Sequence, residues 1–210
     1  ETREFSGDKV IVSLGRRPNV QAVAKLGLEL ERGAIRTDAR LETSIPGLYA
    51  IGDVNGRQML AHTASAEGLV AVENIMGGRA AVNYDKIPAC IYTFPEVAVV
   101  GLTEQEAVNR GYDVATGTFP MAANGKALAE GEPEGLIKIV ADRQYGEVLG
   151  VHIIAAQATD LISEAVVTLE LEGTVHDLAK AIHPHPTSSE VVMEAAHAVL
   201  GQAIHVFKRK

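Results

Sequence analysis

The chain has 210 residues, of which 47% are apolar, and it carries a formal net charge of −8. This length allows one large or two small domains, and the negative charge argues against a general phosphate-binding surface for nucleic acid. No apolar run approaches the length of a membrane span, and the single cysteine, Cys90, cannot form a disulfide within the chain.

Two buried strands and a long helix are predicted in the first part of the chain. Residues 9–14 form a short apolar run that ends at Gly15, which is typical of a strand buried on both faces of a parallel sheet. An extended stretch over 34–38 precedes a second such strand at 47–51. A helix is predicted over 60–76. The helix residues that lie near one another at helical spacing are Ala61, Ala64, Gly68, Val72 and Ile75.

The polar residues 79–86 mark the main domain boundary, and an α+β pattern follows them. Thr103 and Glu106 have capping-box spacing and open a short helix. Cys90 is expected to be a small buried residue within an apolar strand. The predicted strands lie at 98–101, 114–119, 135–140 and 147–154, the last two forming a hairpin, and the predicted helices lie over 157–172 and after Thr174 and Thr187.

Asp53 is the first candidate for a binding residue. It follows a predicted buried strand, where the sheets of α/β proteins bind ligands, and its carboxylate could accept hydrogen bonds from ligand hydroxyls. The alternative is a loop aspartate that caps the following turn. Residues 59–62 begin the predicted helix, whose free N–H groups and positive dipole end would suit an electron-rich ring edge or a phosphate.

A second candidate site lies at residues 182–190, where two prolines hold the chain extended before the last helix. Glu190 could orient His185 for proton transfer, or it could form a helix cap with Thr187. His183 and His185 are also spaced like a metal pair, but no cluster of further ligands accompanies them, and we predict no metal site. Four other histidines are expected to be packing or surface residues and not ligands: His152, His176, His197 and His205.

Six segments, in order, resemble the pyridine nucleotide-disulfide oxidoreductases, and within that family the dihydrolipoamide dehydrogenases. They are VSLGRRPN at 12–19, TSIPGLYAIGDV at 43–54, MLAH at 59–62, IYTFPEVA at 91–98, GVHII at 150–154 and HPTSSE at 185–190. The resemblance implies an α/β remnant of the NAD- and FAD-binding domains followed by an α+β dimerisation domain with an antiparallel sheet and helices. The implied division is 1–17 for the end of the NAD-binding domain, 18–85 for the return segment of the FAD-binding region and 86–210 for the dimerisation domain.

Individual roles follow from the same resemblance. Gly15 would lie near NAD, Asp53 would hold the ribityl chain of FAD, and the backbone at Met59, Leu60, Ala61 and His62 would approach the flavin ring. His185 would be the catalytic acid–base and Glu190 the carboxylate that orients it. In the family this histidine acts across a two-fold interface, which implies an obligatory homodimer.

The implied reaction is the reoxidation of dihydrolipoamide, with electrons passing through a disulfide and FAD to NAD. The implied partner is the lipoyl-bearing component of a 2-oxo acid dehydrogenase complex, in the cytoplasm rather than the mitochondrial matrix. The redox cysteine pair and both G-x-G-x-x-G fingerprints are absent from this sequence. We therefore expect the chain alone to be inactive, to bind FAD weakly and to pack poorly in part of residues 1–85. The alternatives are a dimerisation fragment without a cofactor, or a related reductase such as a glutathione reductase.

Overall fold

A computed structural model describes residues 2–206, and these form two compact units. The first unit extends to Val82 and the second begins at Asn83. No helix in the described part of the chain combines the length and the apolar character needed to cross a bilayer.

The first unit contains little regular structure besides one long helix. Strands β1 (Leu30–Glu31) and β2 (Ala34–Ile35) form a short antiparallel pair. Helix α1 spans Ala61–Ile75, close to the predicted bounds. Two 3₁₀ helices, at Gln21–Leu26 and Gly52–Asn55, precede it.

Neither of the two buried strands predicted in this unit forms, so this prediction is wrong. No strand forms over 9–14, where the side chains of Val10, Ile11, Val12 and Leu14 are 74–95% exposed. Residues 47–51 make only an isolated bridge between Tyr49 and Glu42. A parallel strand needs hydrogen-bonding neighbours and cover on both faces, and the described residues supply neither to 9–14. The expectation of poor packing in this part of the chain is confirmed for that segment.

The apolar residues at helical spacing do not form the buried face of α1. The helix buries Thr63, Glu67, Ala71 and Asn74, whereas Val72 and Ile75 are each 59% exposed. The buried polar groups are hydrogen-bonded: the Asn74 side chain, for example, donates to the carbonyls of Arg40 and Ala80 and accepts from the N–H of Ala80. Because these contacts fix loops to the helix, hydrogen bonding and not apolarity selects the inward face.

The second unit is built on a five-stranded antiparallel sheet of order β3-β4-β7-β6-β5. The strands are β3 (Ala89–Ile91), β4 (Glu96–Gly101), β5 (Val114–Pro120), β6 (Leu136–Asp142) and β7 (Val148–Ala155). The predicted hairpin is confirmed as β6 and β7, with Ile137 opposite Ile153 and Ile139 opposite Val151. Cys90 lies in the edge strand β3, as expected, but it is only half-buried. Burial and the nearby Glu96 carboxylate raise the pKa of its thiol, against a smaller opposing effect of a hydrogen bond with Tyr92.

Five helices accompany this sheet in the described part of the second unit. They are α2 (Glu104–Asn109), α3 (Gly125–Glu130), α4 (Ala158–Glu170), α5 (Val175–Lys180) and α6 (Glu190–Val199). The capping box of Thr103 and Glu106 is confirmed, since both reciprocal hydrogen bonds are present. Helix α3 was not predicted; its start is marked by Asn124, whose side chain accepts from the N–H of Ala127.

The core of the second unit lies between the sheet and helices α4 and α6. Fully buried side chains from three strands, including Val100, Phe119 and Ile139, meet Ile162 of α4 and Val191 of α6. Apolar burial at this scale supplies the main stabilisation of such a domain. Because α6 is fixed along much of its length, the residues at its first turn have defined positions.

Candidate functional site

The segment that joins α5 to α6 presents His185 at the surface. Helix α5 ends at Lys180 and α6 begins at Glu190. Prolines 184 and 186 flank His185, and the His185–Pro186 peptide bond is cis. The Thr187 hydroxyl donates to the carbonyl of Pro184 at 2.7 Å, which closes the segment on itself. The backbone around His185 is therefore held by local contacts on both sides.

Nδ1 of His185 lies 2.9 Å from Oε1 of Glu190. The histidine side chain is 77% exposed and that of Glu190 only 20%. No partner for the other ring nitrogen, Nε2, occurs among residues 2–206. A carboxylate that binds one nitrogen fixes the ring orientation and the tautomer, and it leaves the second nitrogen free for proton exchange.

Glu190 also contacts the backbone of the segment that precedes α6. Its second oxygen, Oε2, accepts from the N–H of Thr187 at 2.9 Å. The pairing with His185 therefore forms, but only half of the predicted cap does. The Thr187 hydroxyl donates to Pro184 and does not accept from Glu190, and the N-cap residue of α6 is Ser189, which makes no side-chain hydrogen bond to the helix. Partial burial raises the pKa of Glu190, but the hydrogen bonds from Thr187 and His185, with the nearby charges of His185 and His205, outweigh it and leave the pKa below its ordinary value.

His183 has a different environment from His185. Its Nε2 lies 2.9 Å from Oε1 of Glu164 on α4, and its Nδ1 lies 3.1 Å from the carbonyl of Ala181. Both ring nitrogens are thus engaged, and the side chain is only 7% exposed. In the described part of the chain, no group of three or more histidine, cysteine or acidic side chains has the spacing of a metal site.

A second histidine–carboxylate pair, which the sequence did not suggest, lies on the same helix. Glu194 is almost fully buried, and its Oε1 lies 2.7 Å from Nδ1 of His205. A cavity of about 280 Å³ is lined by both pairs. The other residues that line this cavity are Phe119, Ala123, Asn124, Gly125, Leu128 and Met193. The pairing joins residues eleven positions apart across the end of α6, so no local spacing rule would have found it.

In the first unit, Asp53 and Met59 are brought together by Arg16. The guanidinium of Arg16 donates to the carbonyl of Met59 and lies 3.7 Å from the Asp53 carboxylate. Gly15, the preceding residue, has a φ of +136° and nothing within 4 Å of the position that a Cβ would occupy. The sequence placed Arg16 only in a polar loop, so its contact with Asp53 was missed.

The turn that carries Asp53 is held by a buried carboxylate. Glu67 of α1 is fully buried, and its Oε2 accepts from the N–H of Gly52 at 2.6 Å. Gly52 has a φ of +72°, a conformation that favours glycine. Glu67 was also missed in the sequence. Its spacing with Thr63 and Asn74 places three polar residues on one face of a helix, a pattern that could have indicated a hydrogen-bonded face.

Met59 and Leu60 directly precede α1, and Ala61 and His62 are its first two residues. Leu60 is the N-cap residue and provides no side-chain hydrogen bond to the first-turn N–H groups. The N–H of Leu60 donates to the carbonyl of Gln58 at 2.9 Å. The positive end of the helix dipole lies at these residues. The Asp53 carboxylate and the start of α1 therefore lie within one compact unit.

Both units of the chain match models of one family of oxidoreductases. Residues 87–196 match the model of the pyridine nucleotide-disulphide oxidoreductase dimerisation domain. Residues 1–68 match the model described as pyridine nucleotide-disulphide oxidoreductase. The chain belongs to the pyridine nucleotide-disulphide oxidoreductase family.

Relatives in several organisms carry the name dihydrolipoyl dehydrogenase. The one from Thermus scotoductus is 50% identical over 209 residues, which are 98% of this chain and 45% of the relative. The one from Halobacterium salinarum is 43% identical over 215 residues, again covering 45% of that protein. The chain thus spans less than half the length of these relatives.

Solved structures agree on the fold. The crystal structure of LpdA from Mycobacterium tuberculosis is 28% identical, with a TM-score of 0.81 over 86% of this chain and 40% of LpdA. The HOCl-induced flavoprotein disulfide reductase RclA from Escherichia coli is 22% identical, with a TM-score of 0.79 over 88% of this chain and 43% of RclA. At that identity the second likeness concerns the fold alone.

Proposed function

We propose that this chain is part of a flavoprotein disulfide oxidoreductase that reoxidises dihydrolipoamide and passes the electrons through a disulfide and FAD to NAD. The observation that carries the proposal is the 2.9 Å contact between Nδ1 of His185 and Oε1 of Glu190. The His185 ring is exposed, and its Nε2 has no partner among residues 2–206. The choice of dihydrolipoamide over the substrates of related reductases is supported by relatives named dihydrolipoyl dehydrogenase at 50% and 43% identity.

His185 acts as the acid–base in this proposal. Nε2 takes the proton of one substrate thiol, and the resulting thiolate attacks an enzyme disulfide, so that one S–S bond forms as another breaks. The displaced cysteine thiolate leaves with the electron pair of the broken bond. Glu190 holds the ring through Nδ1 and stabilises the imidazolium while the proton resides there.

The first unit supplies part of a flavin site in this proposal. The Asp53 carboxylate suits the hydroxyls of a ribityl chain, and the backbone at Met59, Leu60, Ala61 and His62, at the positive end of the α1 dipole, would approach the edge of a flavin ring. Gly15 would lie against NAD, where the absence of a side chain allows close approach. When bound, FAD supplies two-electron transfer between a thiol pair and NAD. Because the phosphate-binding fingerprints are absent from this sequence, we expect the chain alone to bind FAD weakly and to be inactive.

A homodimer is part of the proposal, with His185 acting in the active site of the partner subunit. Support comes from large apolar side chains exposed on the second unit, among them Phe94, Val167, Leu171 and Ile182. Such surfaces are typical of protein interfaces. The lipoyl-bearing component of a 2-oxo acid dehydrogenase complex would deliver the substrate. The division at 17/18 and 85/86 belongs to the same proposal.

A chimera tests the proposed reaction. This chain would replace the matching 45% of the Thermus scotoductus relative, and dihydrolipoamide-dependent NAD reduction would be measured. We expect activity, a loss of about 10²- to 10⁴-fold in kcat for His185→Gln, and a loss of about 10- to 100-fold for Glu190→Gln. His176→Gln, on the exposed side of α5, is the control. An active chimera that tolerates His185→Gln would contradict the role of the pair.

Mixed dimers test action across the interface. One chimera would carry His185→Gln, and the other would lack a cysteine of the redox pair in its Thermus part. Each homodimer should be inactive, and the mixed dimer should recover about half of one wild-type dimer's activity, because one complete site can form only between subunits. If the mixed dimer is isolated and remains inactive, His185 would act in the active site of its own subunit.

The alternative of a dimerisation fragment without a cofactor predicts a different result. A visible absorption spectrum of the purified chain, taken with added FAD and again after removal of unbound FAD, separates the two. A retained flavin band would contradict the alternative and would also exceed our expectation of weak binding.

A further inference from the structure

Helix α6 carries two glutamates that are built into the structure in the same way. Glu190 and Glu194 lie one helical turn apart, and each uses Oε1 for the Nδ1 atom of a histidine. Each uses Oε2 for the backbone: Glu190 accepts from Thr187, and Glu194 accepts from Ile204 at 3.0 Å and from His205 at 3.3 Å. The helix thus binds two imidazoles: that of His185, which precedes the helix, and that of His205, which follows it.

The carboxylate of the second pair, Glu194, is more buried than that of the first pair, Glu190. The side chain of Glu194 is 3% exposed, whereas that of His205 is 64% exposed. A carboxylate this buried is retained only when hydrogen bonds and an opposite charge compensate for lost hydration. The three contacts with residues 204–205 provide this, and they fix His205 at the wall of the cavity that also contains His185 and Glu190.

Among residues 2–206, the titratable groups that line this cavity are His185, Glu190, Glu194 and His205, and the other lining side chains of that range are uncharged. Helix α3, which contributes to the wall, also carries Lys126 and Glu130, but these form an ion pair with each other at 2.8 Å and do not line the cavity. Glu164 and His183 are likewise paired outside it. Within the described part of the chain, the second pair is thus the other group in the cavity whose charge can change beside His185 and Glu190.

We propose that Glu194 and His205 form a second histidine–carboxylate pair that sets the proton affinity of His185 through the charge it places at their shared cavity. His205 is a positioning residue in this sense, since it acts on proton transfer through His185 and Glu190. The coupling itself is a property of this chain; its importance for catalysis rests on the proposed function.

The sign of the coupling follows from charge. When His205 is protonated, the pair with Glu194 is neutral; when it is not, the Glu194 carboxylate adds a negative charge that favours protonated His185. His205→Gln makes that negative charge permanent and retains a side-chain donor and both backbone anchors. Glu194→Gln removes the charge with little change in shape. The two variants must therefore move the protonation of His185 in opposite directions.

NMR titration of the histidine Cε1–Hε1 signals of the 210-residue chain tests this, with His185 assigned by its loss in His185→Gln. We expect the titration midpoint of His185 to rise by about 0.3 to 0.5 pH unit in His205→Gln, a two- to threefold gain in proton affinity, and to fall by a similar amount in Glu194→Gln. His176→Gln, on α5 and outside the cavity, should leave the midpoint unchanged.

Two results would overturn the proposal. Midpoints that do not move would show that the pairs are not coupled. Midpoints that move in the same direction in both variants would show that Glu194 and His205 act only by holding residues 204–205 in place. Because the titration needs no substrate and no cofactor, failure here is distinguishable from failure of the proposed reaction, which the chimera measures separately.

Discussion

Glu190 uses its two oxygens for two different partners, and this explains why its spacing alone could not assign it a role. The Thr187 N–H contact is local and follows from the capping-box spacing, and His185 is near enough in sequence for its pairing to be anticipated. Glu67, Arg16 and the Glu194–His205 pair could not be anticipated in this way. Their partners lie eleven to forty-three residues away, so only the folded chain determines which atoms meet.

The depressed pKa of Glu190 makes a prediction about acid stability. A carboxylate whose folded-state pKa lies below its unfolded value contributes stability above the unfolded pKa, and this is lost as pH falls through the folded pKa. Wild type should therefore be more stable than Glu190→Gln above the ordinary glutamate range of about 4.3, and the difference should vanish in more acidic solution. Guanidinium chloride midpoints, followed by circular dichroism between neutral and acidic pH, measure this.

Glu134→Gln is the matched control, because Glu134 is exposed and has no hydrogen bond among the described residues. Its stability relative to wild type should not change over the same pH range. A difference between wild type and Glu190→Gln that is independent of pH would mean that the variant acts through shape and not through charge.

Among elements, those of the second unit were largely predictable because each carries its own local signal. The alternation along β6 and β7, the capping box of α2 and the glycine after α4 act within a few residues. The apolar run at 9–14 carries an equally strong signal and yet forms no strand. A strand of a parallel sheet is stabilised by neighbouring strands and by cover on both faces, which come from parts of a chain distant in sequence. The described residues do not provide these neighbours to 9–14. For α1, hydrogen bonds to loops decided the buried face against the apolar pattern.

The packing of α6 on β5 depends on a glycine. A Cβ at Gly117 would lie 2.3 Å from the carbonyl oxygen of Ala195 and 2.4 Å from the amide nitrogen of Val199, both backbone atoms of α6 and unable to yield independently. Gly117→Ala should therefore destabilise the second unit by about 2–4 kcal/mol through displacement of the helix. Thermal or guanidinium unfolding measures the loss.

Gly125→Ala is the matched control for this substitution. Gly125 begins α3 and has nothing within 4 Å of its Cβ position, so alanine there should be neutral or stabilising by up to about 1 kcal/mol. If Gly117→Ala were as stable as wild type, α6 would not pack on β5 as closely as these distances require, and the first turn that holds Glu190 would be less well fixed.

At the scale of the whole molecule, the two units differ in how they are stabilised. The contiguous apolar cores found in the described residues, centred on side chains such as Ile139, Val151 and Val191, lie in the second unit. The first unit relies more on buried polar side chains, as at Glu67 and Asn74. This contrast could be anticipated in outline from the missing parallel-sheet neighbours, but its extent could not, because it depends on which polar contacts form.

Limited proteolysis with trypsin tests the contrast. Cleavage after Lys9 and Arg16 should come first, because this segment is exposed and lacks regular structure, and such segments are cut without global unfolding. Lys138 lies in the middle of β6 between two hydrogen-bonded strands, so cleavage there requires the sheet to open and should be at least about 100-fold slower. Mass spectrometry of timed samples identifies the fragments, and the chain unfolded in guanidinium chloride, diluted immediately before digestion, gives the intrinsic rate at each site. Fragments that end at Lys138 as early as those that begin at Val10 would mean that the sheet does not form a stable unit, and the platform that positions His185 and Glu190 would then be in doubt as well.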